Sequence, residues 1–124
     1  LLLYVAAGGA FGSVCRYLLS AWVTAQFGRG FPYGTLAVNL LGSFLMGVAL
    51  AFIVSLLPRG KELYLLLCVG ALGGFTTFSA FSYETYMLLE KGLLLEAALY
   101  MIVSVLGSVM LFFGGMWMYR ALAA

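Results

Sequence analysis

Charged side chains divide this chain into long apolar runs. Residues 30–58, 63–83 and 97–119 contain none, and residues 1–28 contain only Arg16. A membrane-crossing helix needs about 20 predominantly apolar residues. The pattern therefore predicts four such helices, over residues 3–26, 33–57, 62–89 and 94–120. Turn-forming residues fall in the gaps, at Gly28-Arg29-Gly30, Pro58-Arg59-Gly60 and Glu90-Lys91-Gly92.

The third run departs from a plain lipid-facing helix. Its middle reads Gly73-Gly74-Phe75-Thr76-Thr77-Phe78-Ser79-Ala80-Phe81-Ser82. Irregular backbone at membrane depth is tolerated only where protein buries it or a polar pathway runs beside it. This stretch predicts a third helix broken mid-membrane, with Gly73 and Gly74 easing the unwinding. Broken helices are where membrane proteins build ion and substrate sites.

Polar residues recur at helical spacing in the other runs. Thr35, Asn39 and Ser43 share one face of the second helix, and Tyr100, Ser104 and Ser108 share one face of the fourth. The third adds Thr76, Thr77, Ser79 and Ser82. Hydroxyls satisfy themselves on carbonyls one turn back, whereas the Asn39 amide has two donors and an acceptor to place. Three polar stripes on three helices favour a shared lining. Phe75, Phe78 and Phe81 follow at spacing three. They are either packing or a row of rings whose positive edges favour an anion. Arg16 within the first run must face protein or water. Glu84 near the end of the third either snorkels to the interface or lines a pathway.

Composition agrees with a membrane solvent. Of 124 residues, 65% are hydrophobic and 8% charged, more apolar surface than a water-soluble fold of this size buries. The net charge of +2 is too small to imply nucleic acid, and with no His and only Cys15 and Cys68, both inside predicted spans, neither a transition-metal site nor a disulfide is expected. The first span reads as a retained helix, not a cleaved leader. Four crossings place Arg59, Lys61 and Arg120 on one side and Arg29 and Lys91 on the other. Orientation follows a clear excess of positive charge, and three against two is almost none. A chain with so little bias can insert both ways up unless residues outside this sequence supply the bias, and oppositely oriented copies can then pair about a two-fold axis in the membrane plane.

Three motifs, in order on a four-span chain, resemble the Fluc (CrcB) fluoride channel family over nearly the full length. They are Gly8-Gly9 through Gly12 to Arg16-Tyr17, then Gly34-Thr35 with Asn39 and Gly42-Ser43-Phe44, and then Gly73 through Ser79 with Phe81, Ser82 and Glu84. Ala80 departs from a frequent Thr. The resemblance implies one all-α channel domain over residues 1–124, a multi-pass protein of a bacterial inner membrane, assembled as an antiparallel dual-topology homodimer with two fluoride pores. It implies a structural sodium ion at the dimer interface, held by backbone carbonyls of Gly73 and Thr76. The implied pore residues are Phe78 and Phe81, the amide of Asn39, a hydroxyl track of Thr77, Tyr100, Ser104 and Ser108, and Glu84 near one end, with Thr35 on the same face as Asn39. The implied activity is passive fluoride export, not catalysis. The competing reading is a proton-coupled exporter like the small multidrug resistance transporters, which need a carboxylate in the first span; this chain has Arg16 there and no carboxylate.

Overall fold

The computed structural model describes all 124 residues, and the fold is entirely helical. Helix α1 is Leu2–Phe27 and α2 is Tyr33–Val54. Residues 61–75 form α3, Phe78–Glu90 forms α4, and Leu94–Ala123 forms α5. By length and composition, Leu2–Phe27, Tyr33–Val54, Lys61–Glu90 and Leu94–Ala123 are each able to cross a membrane. Loops 28–32 and 91–93 lie at one end, while residues 55–60 and both termini lie at the other.

The expected second span runs to residue 57, but α2 ends at Val54. Pro58 lacks an N–H and disfavours helical dihedrals in the residue before it. The chain tightens instead: the N–H groups of Ser55, Leu56 and Leu57 bond the carbonyls three residues back. The other boundaries fall within three residues of their expected places.

Small residues set the helix contacts. A β-carbon on Gly8 would fall on the Leu66 carbonyl, and one on Gly12 on that of Ala71, so α1 and α3 touch backbone to backbone. Gly47 and Gly115 do the same for α2 and α5 against the carbonyls of Phe112 and Phe44. Such close approach is how helices associate in lipid, where apolar side chains gain little by meeting one another. The turns of Tyr64–Leu72 in α3 and Val103–Gly107 in α5 are widened to a π-helical pitch, and the first holds the two carbonyls, of Leu66 and Ala71, that lie against the α1 glycines. A buried cluster of Phe81, Leu88, Ala97 and Tyr100 joins α4 to α5. Outside these seams large apolar side chains stand free, among them Met110 and Trp117, each 71% exposed. Cys15 and Cys68 are both free thiols.

Candidate functional site

Thr76 and Thr77 carry the site. Their dihedrals are extended (φ −86°, ψ 157° and φ −149°, ψ 116°), between the end of α3 at Phe75 and the start of α4 at Phe78. Two consecutive β-branched residues lose χ1 freedom in a helix, and threonine is among the residues favoured at an N-cap. The Thr77 hydroxyl caps α4 by accepting the Ala80 N–H at 3.2 Å.

The glycines play a different part from the one expected of them. Gly73 has ordinary helical dihedrals (φ −62°, ψ −39°), and neither Gly73 nor Gly74 takes a positive φ. Gly74 permits contact rather than unwinding: a β-carbon there would sit 2.7 Å from the Gly9 carbonyl oxygen and 3.3 Å from Ser13 Oγ. The phenylalanines divide likewise. Phe75 precedes the extended residues and is buried, its ring 3.1 Å from where a β-carbon on Gly42 would lie. The even spacing of Phe75, Phe78 and Phe81 therefore does not make one stripe, because two non-helical residues intervene.

Side chains from α1 and α2 satisfy the freed main-chain groups. Asn39 Nδ2 donates to the Thr77 carbonyl at 3.0 Å, and Asn39 Oδ1 accepts the Thr77 N–H at 2.8 Å. Arg16 Nε donates to the Gly74 carbonyl at 3.1 Å. The Thr76 hydroxyl bonds the Leu72 carbonyl one turn back. No hydrogen bond ends on the carbonyl oxygens of Gly73, Phe75 or Thr76. Of these residues Gly73 is exposed, Thr76 half-buried and Phe75 buried.

Two cavities lie beside this stretch, with Thr77 bordering both and Asn39 the smaller. The larger, about 780 Å³, opens at the end carrying loop 28–32; Arg16, Arg29 and Lys91 border it together with Thr35, Thr77 and Glu84. The smaller, about 360 Å³, is bordered by Asn39, Thr76, Thr77, Phe78, Phe81, Ser104 and Ser108, with Ser43 beside them. Ser104 Oγ is buried and has no hydrogen-bond partner in the protein.

Tyr100 lines neither cavity. It is fully buried, its hydroxyl donates to Glu84 Oε1 at 3.3 Å, and its ring lies between those of Phe81 (centroids 5.1 Å apart) and Phe31 (5.5 Å, edge-on). Phe78 and Phe81 lie 5.3 Å apart, tilted by 45°; Phe81 is 8% exposed and Phe78 74%. The structure thus gathers Asn39, Thr77, Phe78, Phe81, Ser104 and Ser108 at one cavity, Thr35 and Glu84 at the other, and leaves Gly73 on the outer surface. Four residues bordering the smaller cavity, Met46, Val105, Val109 and Phe112, do not stand out in the sequence. Phe112 stands one turn beyond Ser108, so extending the stripe by four residues would have found it. Met46, three residues beyond Ser43, had no signal separating it from packing.

Comparison with known proteins gives the family of the chain. Residues 3–116 match the family model described as CrcB-like protein, Camphor Resistance (CrcB). A Hahella chejuensis protein named fluoride-specific ion channel FluC is 51% identical over 105 residues, 85% of this chain and 83% of that one. Proteins of the same name from Citrifermentans bemidjiense and Rhizobium meliloti are 47% and 44% identical, each over 121 residues, 98% of this chain and 98% and 97% of theirs. These relatives are named as ion channels, not as enzymes. With all but ten residues inside the family match and relatives aligned nearly end to end, the chain belongs to the CrcB-like protein family.

Proposed function

We propose that this chain conducts fluoride passively across a bacterial inner membrane. One channel domain spans residues 1–124 and acts as half of an antiparallel homodimer with two pores. The observation that carries the reading is the Thr77 peptide, gripped by Asn39 and bordering both cavities, with Ser104, whose buried hydroxyl has no partner, bordering the smaller. Fluoride holds its water tightly, so passage requires donors that replace the lost shell. Ser104 and Ser108 offer hydroxyls, and the Asn39 amide keeps one N–H after serving Thr77. The rings of Phe78 and Phe81 offer positive edges. Glu84, engaged by Tyr100, stands toward the mouth, where the cations Arg16, Arg29 and Lys91 outnumber it. An inside-negative potential drives the anion outward, by about 2.3 kcal/mol per charge per 100 mV.

The dimer and the helix break support each other. If Lys61–Glu90 crosses the membrane as one span, its extended residues leave the Gly73 and Thr76 carbonyls unsatisfied at depth, and an unsatisfied backbone group in hydrocarbon costs several kcal/mol. Gly73, Phe78 and Ser79 are exposed on this stretch, so a second copy seated there removes the cost. The near balance of Arg59, Lys61 and Arg120 against Arg29 and Lys91 favours opposite orientations. The unshared oxygens fit a hard cation: Gly73 and Thr76 from each copy would hold sodium, which when bound supplies fixed positive charge beside the route.

Efflux from liposomes containing the purified protein tests the reading. Fluoride should leave rapidly while chloride is retained, and replacing sodium with a bulky organic cation should slow the flux. Absent fluoride efflux, or chloride leaving equally fast, overturns it.

A further inference from the structure

We propose that Arg16 is a positioning residue: its Nε–H holds the Gly74 carbonyl off the helix axis and, with Asn39, sets the backbone of residues 73–77. In an uninterrupted helix the Gly73 carbonyl accepts the Thr77 N–H and the Gly74 carbonyl accepts the Phe78 N–H, each four residues on. Here both pairings are replaced. The Thr77 N–H goes to Asn39 Oδ1 at 2.8 Å, and the Gly74 carbonyl receives Arg16 Nε at 3.1 Å. Two side chains from two different helices have each taken one partner from consecutive rungs of the same ladder.

The surroundings aim Arg16 at this carbonyl. Gly12, one turn before it on α1, abuts the Ala71 carbonyl, and Gly9 and Ser13 abut Gly74. The α1 backbone is therefore seated directly on the end of α3, and the half-buried Arg16 side chain meets Gly74 through its innermost nitrogen. An arginine present only to attract anions would turn its outer nitrogens to the cavity and have no use for Nε. The guanidinium has nitrogens for both tasks: Nε serves the backbone, and the residue also borders the larger cavity. The held geometry leaves the Gly73 and Thr76 oxygens without donors, so the proposal extends the channel reading and its flux arm rests on it.

Three substitutions separate donor from charge. Gln places an amide nitrogen at the same bond count as Nε without charge, Met keeps the length with neither, and Lys keeps the charge with its donor one atom farther. R16Q is expected to melt as the parent does in detergent and to keep several-fold more fluoride efflux than R16M, which melts lower and loses about tenfold. Melting shifts of R16M and N39S should be non-additive, since both release the same segment. R16K matching the parent while R16Q fails with R16M assigns the residue to charge and overturns the proposal, as do additive melting shifts. If R16M does not fold, the comparison of R16Q with R16K decides alone. If the parent protein passes no fluoride, the channel reading falls, and the melting cycle still decides the role of Arg16.

Discussion

The Asn39 carboxamide grips the Thr77 peptide from both sides, donating to its carbonyl at 3.0 Å and accepting from its N–H at 2.8 Å. This settles which end of the amide is oxygen, because the Thr77 N–H can only donate. It also means that the amide stabilises the extended backbone first and has a single N–H left for an ion. Asn39→Leu should leave two main-chain groups without partners, each worth about 1–3 kcal/mol, and should lower the melting temperature markedly. Asn39→Asp retains the acceptor, loses the donor and adds a negative charge beside the anion route. It should abolish fluoride efflux while costing less stability than Asn39→Leu. Melting curves and liposome efflux for the pair check both statements; full efflux through the Asp variant removes Asn39 from the pathway.

Ser104 gives the opposite relation between stability and flux. Its hydroxyl is buried without a partner, a state that costs about 1–3 kcal/mol. Ser104→Ala should therefore melt no lower than the parent, and it should conduct about tenfold more slowly, as expected when one donor of ~1.4 kcal/mol is lost. A destabilised variant with normal efflux would contradict this assignment.

Gly114 and Gly115 are neighbours with different surroundings. A β-carbon on Gly115 would strike the Phe44 carbonyl, whereas one on Gly114 meets nothing within 4 Å. Gly115→Ala should cost about 1–3 kcal/mol through overpacking of α2 against α5. Gly114→Ala should be neutral or gain up to about 1 kcal/mol from helix propensity. Denaturant unfolding in detergent reads the difference directly.

Arg29 and Lys91 stand at the mouth of the larger cavity with Arg16. Like-signed charges around a concave entrance raise the local concentration of counter-ions, and salt screens the effect. R29E and K91E should slow fluoride efflux at low ionic strength, by about threefold or more together, and the deficit should shrink in concentrated salt with an inert anion. A deficit that does not change with salt would place these residues outside the electrostatic path.

The apolar runs between charges determined the four helices by themselves, because a bilayer accepts long apolar segments only as helices and the charges mark where they end. The spacing of Thr35, Asn39 and Ser43, and of Tyr100, Ser104 and Ser108, likewise marked which faces are polar, since 3.6 residues per turn is a local property. Only the tertiary structure decided what those faces meet. Gly73-Gly74 read as a hinge and are in fact helical, with Gly74 pressed against α1, because a missing side chain serves flexibility and close contact equally well in a sequence. Phe75 left the aromatic row for the same kind of reason: two extended residues change the register, and no spacing rule sees them. Asn39 with Thr77 and Arg16 with Gly74 are 38 and 58 residues apart in the chain. Their hydrogen bonds exist because glycines on α1 allow it to sit against α3, and α2 lies alongside, a relation between helices that no single helix encodes.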